Sequence, residues 1–361
     1  MAATPATLAE QEPTQPTKIP LYEASTQFKH WRFSVDELVR TRASMNEAAV
    51  DAIRATFEAD EPGSSANIAF LNWEEEQLLV KLYMSKISQL CGHFRFPDEV
   101  EATAISYLKR FYLKNTVMDW HPKNVMLTTL FLAAKTTNNP ISLEAFTTHI
   151  PKTSPSDVLD LEFLVAQSLE FEFAVWHAHR ALWGIVLDIQ SLPPAAAQTE
   201  DPPPSQLYDA ALAHIRESRL TDAELIYSPS QIALAAASLV APDLAARWSH
   251  SKLSASGSGT PPAALDATVE AIRSMIVNFG HPPNVNDVRD IDRRLKICKN
   301  PEKVVGSKAY LAKKAEEERK AEEKRNKKAV ESQNAMANGD PFEELGHKKE
   351  ALVDYDDDDD D

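Results

Sequence analysis

The chain has 361 residues, 43 % of them hydrophobic, and a formal net charge of −16, enough apolar material for two cores of ordinary domain size with tails to spare. Ten of those negative charges sit in residues 331–361, where twelve acids face Lys348 and Lys349, so the remaining −6 marks a mildly acidic body unsuited to neutralising nucleic-acid phosphates. Two distant cysteines, no glycine-rich phosphate loop among nine glycines and no run of about 18 apolar residues argue against a disulfide scaffold, a nucleotide-binding enzyme and a membrane span, and point to a soluble, intracellular, reduced chain.

Residues 1–24 are rich in Pro, Thr, Gln and Ala and read as a disordered arm. In the next region, 25–66, Ser34 and Glu37 form a capping box, with Phe33 and Leu38 placed as a hydrophobic staple. The helix they start carries the stripe Val35, Leu38, Met45, Ala49 and Ile53, and EPGSS at 61–65 ends it. A first unit follows at 67–175. Asn72 and Glu75 open its first helix, whose apolar face runs through Leu78, Leu82, Ile87 and Leu90 to a stop at Gly92. Pro97 introduces a second helix, 98–114, and Pro122 a third, 122–135, apolar on most faces and therefore central. A short helix near 142–149 and a fifth at about 155–170, capped by Ser154-Pro155-Ser156-Asp157, complete it.

A second unit spans 176–284, with helices near 179–190, 205–218, 229–241 and 263–279 and loops at 193–204 and 254–262. Ser228, Pro229 and Gln231 cap its third helix. Residues 285–330 read as a charged, solvated helix with Glu316/Lys320 and Glu323/Lys327 pairs at i,i+4, and 331–361 as a disordered acidic tail.

The chain also repeats itself. Residues 104–135 align without a gap to 211–242 at an offset of 107, each half placing an aromatic (Trp120, Tyr227) two residues before a proline (Pro122, Pro229) that opens an apolar run. A period of this length exceeds the roughly 50 residues of solenoid units and implies two similar helical domains in tandem. The fold class that follows is all-α: two tandem five-helix units with flanking N- and C-terminal helices.

STQFKHWRFSVDEL (25–38), YLKRFYLKNTVMDWHPKNVMLTTLFLAAK (107–135) and LTDAELIYSPSQIALAA (220–236) resemble the cyclin family, in particular the cyclin H type in its fungal form. The resemblance implies two cyclin-fold repeats and a non-catalytic regulatory subunit of the CDK-activating kinase, acting in the nucleus on cell-cycle kinases and on the C-terminal domain of RNA polymerase II. Implied partners are a cyclin-dependent kinase catalytic subunit, the assembly factor of the trimer and the core of transcription factor H, with no cofactor, metal, direct nucleic acid or membrane. It further implies kinase-binding roles for Lys135, which closes FLAAK, and Glu162, in LDLEFLVAQSLEF, with Leu132, Phe171 and Phe173 as the apolar centre. Two departures stand out. Thr136, Thr137, Asn138 and Asn139 follow the lysine where most cyclins carry an acidic pair, and EEQLLVKLYMSKI replaces the MRAIL-like substrate-docking patch.

Each site residue also has a plain structural reading. A lysine at a helix end is favoured by the helix dipole, and Phe171 and Phe173 can plug a domain junction. His177 and His179 form an HxH pair without a third ligand motif, and Cys91 lacks a nucleophile signature. The cluster Lys324, Arg325, Lys327 and Lys328 reads equally as a nuclear-import signal or as one face of a solvated helix. The alternative functions are a Mediator-type transcriptional cyclin and a promoter-binding scaffold of the transcription-factor-B type, the latter disfavoured by the acidic body.

Overall fold

Local capping sets most of the helix starts in the computed structural model of the chain, which describes residues 19–192, 202–256 and 261–338. Ser25 caps α1 (Thr26–His30) through the Phe28 amide. The expected box opens α2 (Val35–Asp60): Ser34 Oγ accepts from the Glu37 amide at 3.2 Å, and Glu37 Oε2 accepts from the Ser34 amide at 2.7 Å. Asn72 and Glu75 do the same for α3 (Trp73–Phe94). The first repeat continues with α4 (Asp98–Phe111), α5 (Pro122–Thr136), α6 (Leu143–Thr148), α7 (Ser156–Leu159) and α8 (Glu162–Ser168). The second contains α9 (Ala178–Gln190), α10 (Pro204–Ser218), α11 (Ala223–Ile226), α12 (Pro229–Val240), α13 (Pro242–Ser256) and α14 (Pro262–Phe279). Beyond them lie α15 (Val285–Cys298), a 3-10 turn at Pro301–Lys303 and α16 (Lys308–Asn338). There is no strand among the described residues.

Two compact units divide the chain: residues 1–54 with 66–299, holding both repeats, and residues 55–65 with 300–361. In the second unit Ser307 caps α16 through the Tyr310 amide, and Lys313 pairs with Glu302 at 2.5 Å.

In the first repeat α5 is the central helix. Val125, Leu127, Leu130, Ala133 and Ala134 are fully buried, and α4 against it buries Tyr107, Leu108 and Phe111. α12 holds the same place in the second repeat, with Ala233, Ala236 and Ala237 packed among Leu182, Leu207 and Ala211 of α9 and α10. Small side chains let helix backbones approach closely, whereas α5 fills its surroundings with large ones.

The two repeats are tied by charges that no local pattern reveals. Arg219, 5 % exposed, reaches Glu101 at 2.9 Å and Asp98 at 3.2 Å. Buried Lys109 donates to the Thr221 carbonyl at 2.6 Å and lies 3.1 Å from Glu224. The leader segment spans the junction as well: the Phe33 amide donates to the Leu225 carbonyl at 2.8 Å, and Arg42 makes a two-pronged pair with Asp222 at 2.7 Å. Phe33 and Leu38, the proposed staple, share a cluster with Trp31, Leu113, Leu225 and Ile226.

Several expectations are corrected. The buried stripe of α2 is Leu38, Arg42, Asn46 and Ile53, while Val35 is 52 % exposed; an apolar count overlooks Arg42, which pairs with Asp222, and Asn46, which donates to the Leu71 carbonyl and to Glu76. On α3 the buried face is Leu79, Val80, Met84, Ile87 and Cys91, one step round from Leu78, Leu82 and Leu90. That helix does not stop at Gly92. It runs on so that Phe94 stacks on Phe146, ring centroids 5.2 Å apart, and Arg95 takes the left-handed position at φ 55°.

The expected fifth helix is two pieces. The Val158 carbonyl, which would bond onward along one helix, accepts instead from Thr128 Oγ1 of α5 at 3.0 Å. Pro242 ends α12 yet also begins α13, a helix the sequence reading lacks, because proline suits the first helical position. The charged helix expected over 285–330 is α15 and α16, separated where Asn300 caps the 3-10 turn at Pro301. α16 also extends to Asn338, into the expected tail. Residues 1–18, 193–201, 257–260 and 339–361 lie outside the described residues, and with them most of the expected arm, most of the loop expected at 193–204, the middle of the one expected at 254–262, whose start is the end of α13, and the poly-Asp end.

Candidate functional site

Lys135 lies in the last turn of α5 and Glu162 in the first turn of α8, the ends at which the helix dipole favours a cation and an anion respectively. The break between α7 and α8 is what creates a helix start at Glu162. Lys135 Nζ lies 2.5 Å from Glu162 Oε1, with the two side chains 47 % and 23 % exposed. Lys135 also sits 5.5 Å from the centre of the Phe131 ring, so its ammonium is held from two directions. A pair this open adds little to stability and remains available to another molecule.

Aromatic residues surround it. Phe163, next to Glu162, is 70 % exposed, and its ring lies 6.2 Å from that of Phe171, itself 56 % exposed. Phe171 lies 6.3 Å from Phe173, and Phe173 packs edge-on against Tyr107 at 6.1 Å. Tyr107 donates to the Phe173 carbonyl at 2.7 Å, and burial pushes its phenol up to about 12. An exposed aromatic group beside a hydrogen-bonded ion pair has the composition of a protein-binding hot spot.

Four of the five residues named from the sequence therefore come together here: Lys135, Glu162, Phe171 and Phe173. Leu132, three residues before Lys135 on α5, is not exposed beside them. It is 5 % exposed, within the core of the first repeat, because the inward face of α5 wraps nearly round the helix and takes Leu132 with it. Phe163 is the exposed apolar residue next to the pair that the sequence pattern does not single out. The one available signal was a phenylalanine adjoining Glu162, and an amphipathic reading treats such a residue as core.

The chain path beyond α8 is unusual. Glu170 and Phe171 both adopt positive φ, 55° and 58°, a conformation costing a residue with a Cβ roughly 1–3 kcal/mol. The Phe171 amide donates to the Ala166 carbonyl at 3.0 Å, closing the α8 terminus. Lys114 pairs with Glu170 at 2.5 Å, and its hydrogen bond holds that carboxyl below the usual carboxylate range.

The histidine pair lies elsewhere, stacked with ring centroids 5.1 Å apart. His177 is buried against Thr103 Oγ1 at 3.0 Å, and burial drives it well below the usual imidazole range and His179 to about 4. Cys91 is buried and unpaired, and burial pushes its thiol up to about 12, unlike an activated nucleophile. The basic cluster at 324–328 lies exposed on α16.

Comparison with known proteins agrees with this architecture. The family description "Cyclin, N-terminal domain" matches residues 70–174 and "Cyclin C-terminal domain" residues 177–277. The chain is 32 % identical over 328 residues to the cyclin mcs2 of Schizosaccharomyces pombe, covering 89 % of this chain and 98 % of that protein. Among solved structures it is similar to a chain of the Chaetomium thermophilum CAK complex bound to ATP-gamma-S, with TM-score 0.71 and 28 % identity over 82 % of this chain and 94 % of that one. It is also similar to a chain of the yeast TFIIK (Kin28/Ccl1/Tfb3) complex, with TM-score 0.58 and 31 % identity over 71 % of this chain and 100 % of that one. With tandem helical repeats, a matching domain pair and a relative aligned along nearly its whole length, the chain belongs to the cyclin family, in its cyclin H branch.

Proposed function

We propose that this cyclin is the non-catalytic activating subunit of a cyclin-dependent kinase of the CDK-activating and transcriptional type, and that the Lys135/Glu162 pair with Phe163, Phe171 and Phe173 is its kinase-binding surface. The observation that carries the site is the exposed ion pair flanked by exposed aromatic rings. The similar solved chains come from complexes described as CAK and as Kin28/Ccl1/Tfb3. By analogy the partners are a kinase subunit and an assembly factor, and the wider assembly is the core of transcription factor H in the nucleus.

The mechanism needs no chemistry from the cyclin itself. A protein kinase is active when its C-helix is pressed inward, so that the glutamate on that helix meets the nucleotide-binding lysine. A rigid outside surface supplies that pressure. The aromatic rings furnish buried contact area, and the two opposite charges set register on the kinase segment. Phosphorylation of the RNA polymerase II C-terminal domain is then the activity of the partner kinase.

The test is affinity purification of the tagged chain from its source cells, with mass spectrometry and a kinase assay on the eluate. Recovery of a cyclin-dependent kinase with its assembly factor, active only with this subunit, supports the reading. A Mediator kinase would redirect it, and promoter DNA with polymerase but no kinase would overturn it.

A further inference from the structure

The aromatic edge of the candidate site is held from behind by the leader helix. Trp31, at the end of α1 and 2 % exposed, donates from Nε1 to Glu172 Oε2 at 2.6 Å, and His30 Nδ1 meets Glu172 Oε1 at 2.6 Å. Glu172 lies between Phe171 and Phe173, whose rings meet edge-on, while its own side chain is turned to α1. The Trp31 ring is flanked by the Arg110 guanidinium at 5.0 Å and the Lys114 ammonium at 4.9 Å. Lys114 in turn pairs with Glu170, and Arg110 donates to the Glu172 carbonyl at 3.2 Å. Both neighbours of Phe171 are thus tied down, through Trp31 and through the cations that pack on it.

Those ties bear on the backbone. Positive φ at two consecutive residues that are not glycine persists only where surrounding contacts over-determine it, and Glu170 and Phe171 are such a pair. With Glu172 released, the segment after α8 can relax toward ordinary φ values, and Phe171 leaves its place beside Phe163. We infer that Trp31 and Glu172 are positioning residues: α1 acts on the kinase-facing surface indirectly, by holding Phe171 and Phe173 in their binding arrangement. The inference rests on the surface assignment made above.

The experiment uses the full chain with its kinase catalytic subunit, measuring affinity, the thermal midpoint and amide exchange at Phe171. Trp31→Phe keeps the ring and removes the N–H donor, Glu172→Ala removes both acceptors, and Glu172→Gln keeps one oxygen for Trp31. Trp31→Phe and Glu172→Ala should each weaken kinase binding about tenfold, the size expected for a hydrogen bond to a charged group, and should speed exchange of the Phe171 amide. The double variant should lose little more than either single one, and Glu172→Gln should stay within about threefold of the parent.

A Lys135→Ala/Glu162→Ala chain serves as the control. If it loses binding while Trp31→Phe and Glu172→Ala bind within about twofold of the parent, the latch is wrong and the surface assignment stands. If the control itself binds normally, the surface assignment fails and the latch falls with it. Losses that track a falling thermal midpoint, with no rescue by Glu172→Gln, would reduce Glu172 to a fold residue and overturn the inference.

Discussion

The third helices of the two repeats begin alike and end differently. α5 and α12 each open on a proline two residues after an aromatic, but the position that is Lys135 in the first repeat is Pro242 in the second. There the chain turns at once into α13, burying Ala241 and Ala245, whereas α5 ends in the open. The helices that follow diverge in the same way: α7 and α8 are interrupted, putting Glu162 at a helix start, while α14 runs unbroken for 18 residues. One duplicated scaffold thus exposes two helix ends as a charged, aromatic surface in its first copy and seals the matching end in its second.

The cores differ in the same sense, and the largest expected effect tests that difference. Leu127→Ala in α5 should destabilise the chain by about 2–5 kcal/mol, because the large residues around it cannot collapse into the cavity. Denaturant unfolding measures this, and a loss below about 1 kcal/mol would mean that the first core is loosely packed.

A second contrast lies in the opening helices. α3 buries Glu76, 6 % exposed, and burial raises its carboxyl from 4.5 to about 7 despite the bond from Asn46, whereas the inward residues of α9 are all apolar. A folded-state value above the unfolded one favours the protonated native form, so this contribution is intact below about pH 4.5. It is lost as pH rises through about 7. The full loss corresponds to about 3 kcal/mol. Glu76→Gln should therefore gain stability relative to the parent between pH 5 and pH 8, read as the change in their difference. A difference that does not vary with pH would show that Glu76 titrates normally.

In the second repeat the reciprocal substitution, Ala236→Leu, should cost about 1–3 kcal/mol by overpacking the close approach of α12 to its neighbours. A neutral result would remove the distinction between the two cores. The smallest stability effect belongs to the Lys135→Ala/Glu162→Ala chain, below about 1 kcal/mol because the pair is open to solvent. Its kinase affinity should nonetheless fall by about 1–3 kcal/mol for each residue that anchors the interface. Calorimetry of folding and of binding on one preparation separates the two effects.

Much of the fold was legible from short-range chemistry. Capping at Ser34/Glu37, Asn72/Glu75 and Ser228/Gln231 involves residues three apart, and each appears as read. Lys135 and Glu162 are named through the family resemblance; Glu162 reads as mid-helix in a fifth helix over about 155–170, and its place at a helix start beside Lys135 emerges only in the structure. Leu132 is buried because a helix apolar on most faces turns nearly all of them inward, and the exposure of Phe163 has no periodic signal in the sequence.

Readable from the chain alone, then, were most of its longer helices, their order, its duplication and its family, because hydrophobic periodicity, proline placement and caps act over a few residues. The arrangement of the surface was not. It depends on Thr128 taking the Val158 carbonyl, on Arg42 finding Asp222 across 180 residues, and on Trp31 meeting Glu172 across 141. Side chains distant in sequence can satisfy a buried carbonyl or charge only after the helices have packed. Such long-range bonds take up the Val158 carbonyl between α7 and α8 and tie Glu172, next to Phe171, to the leader segment.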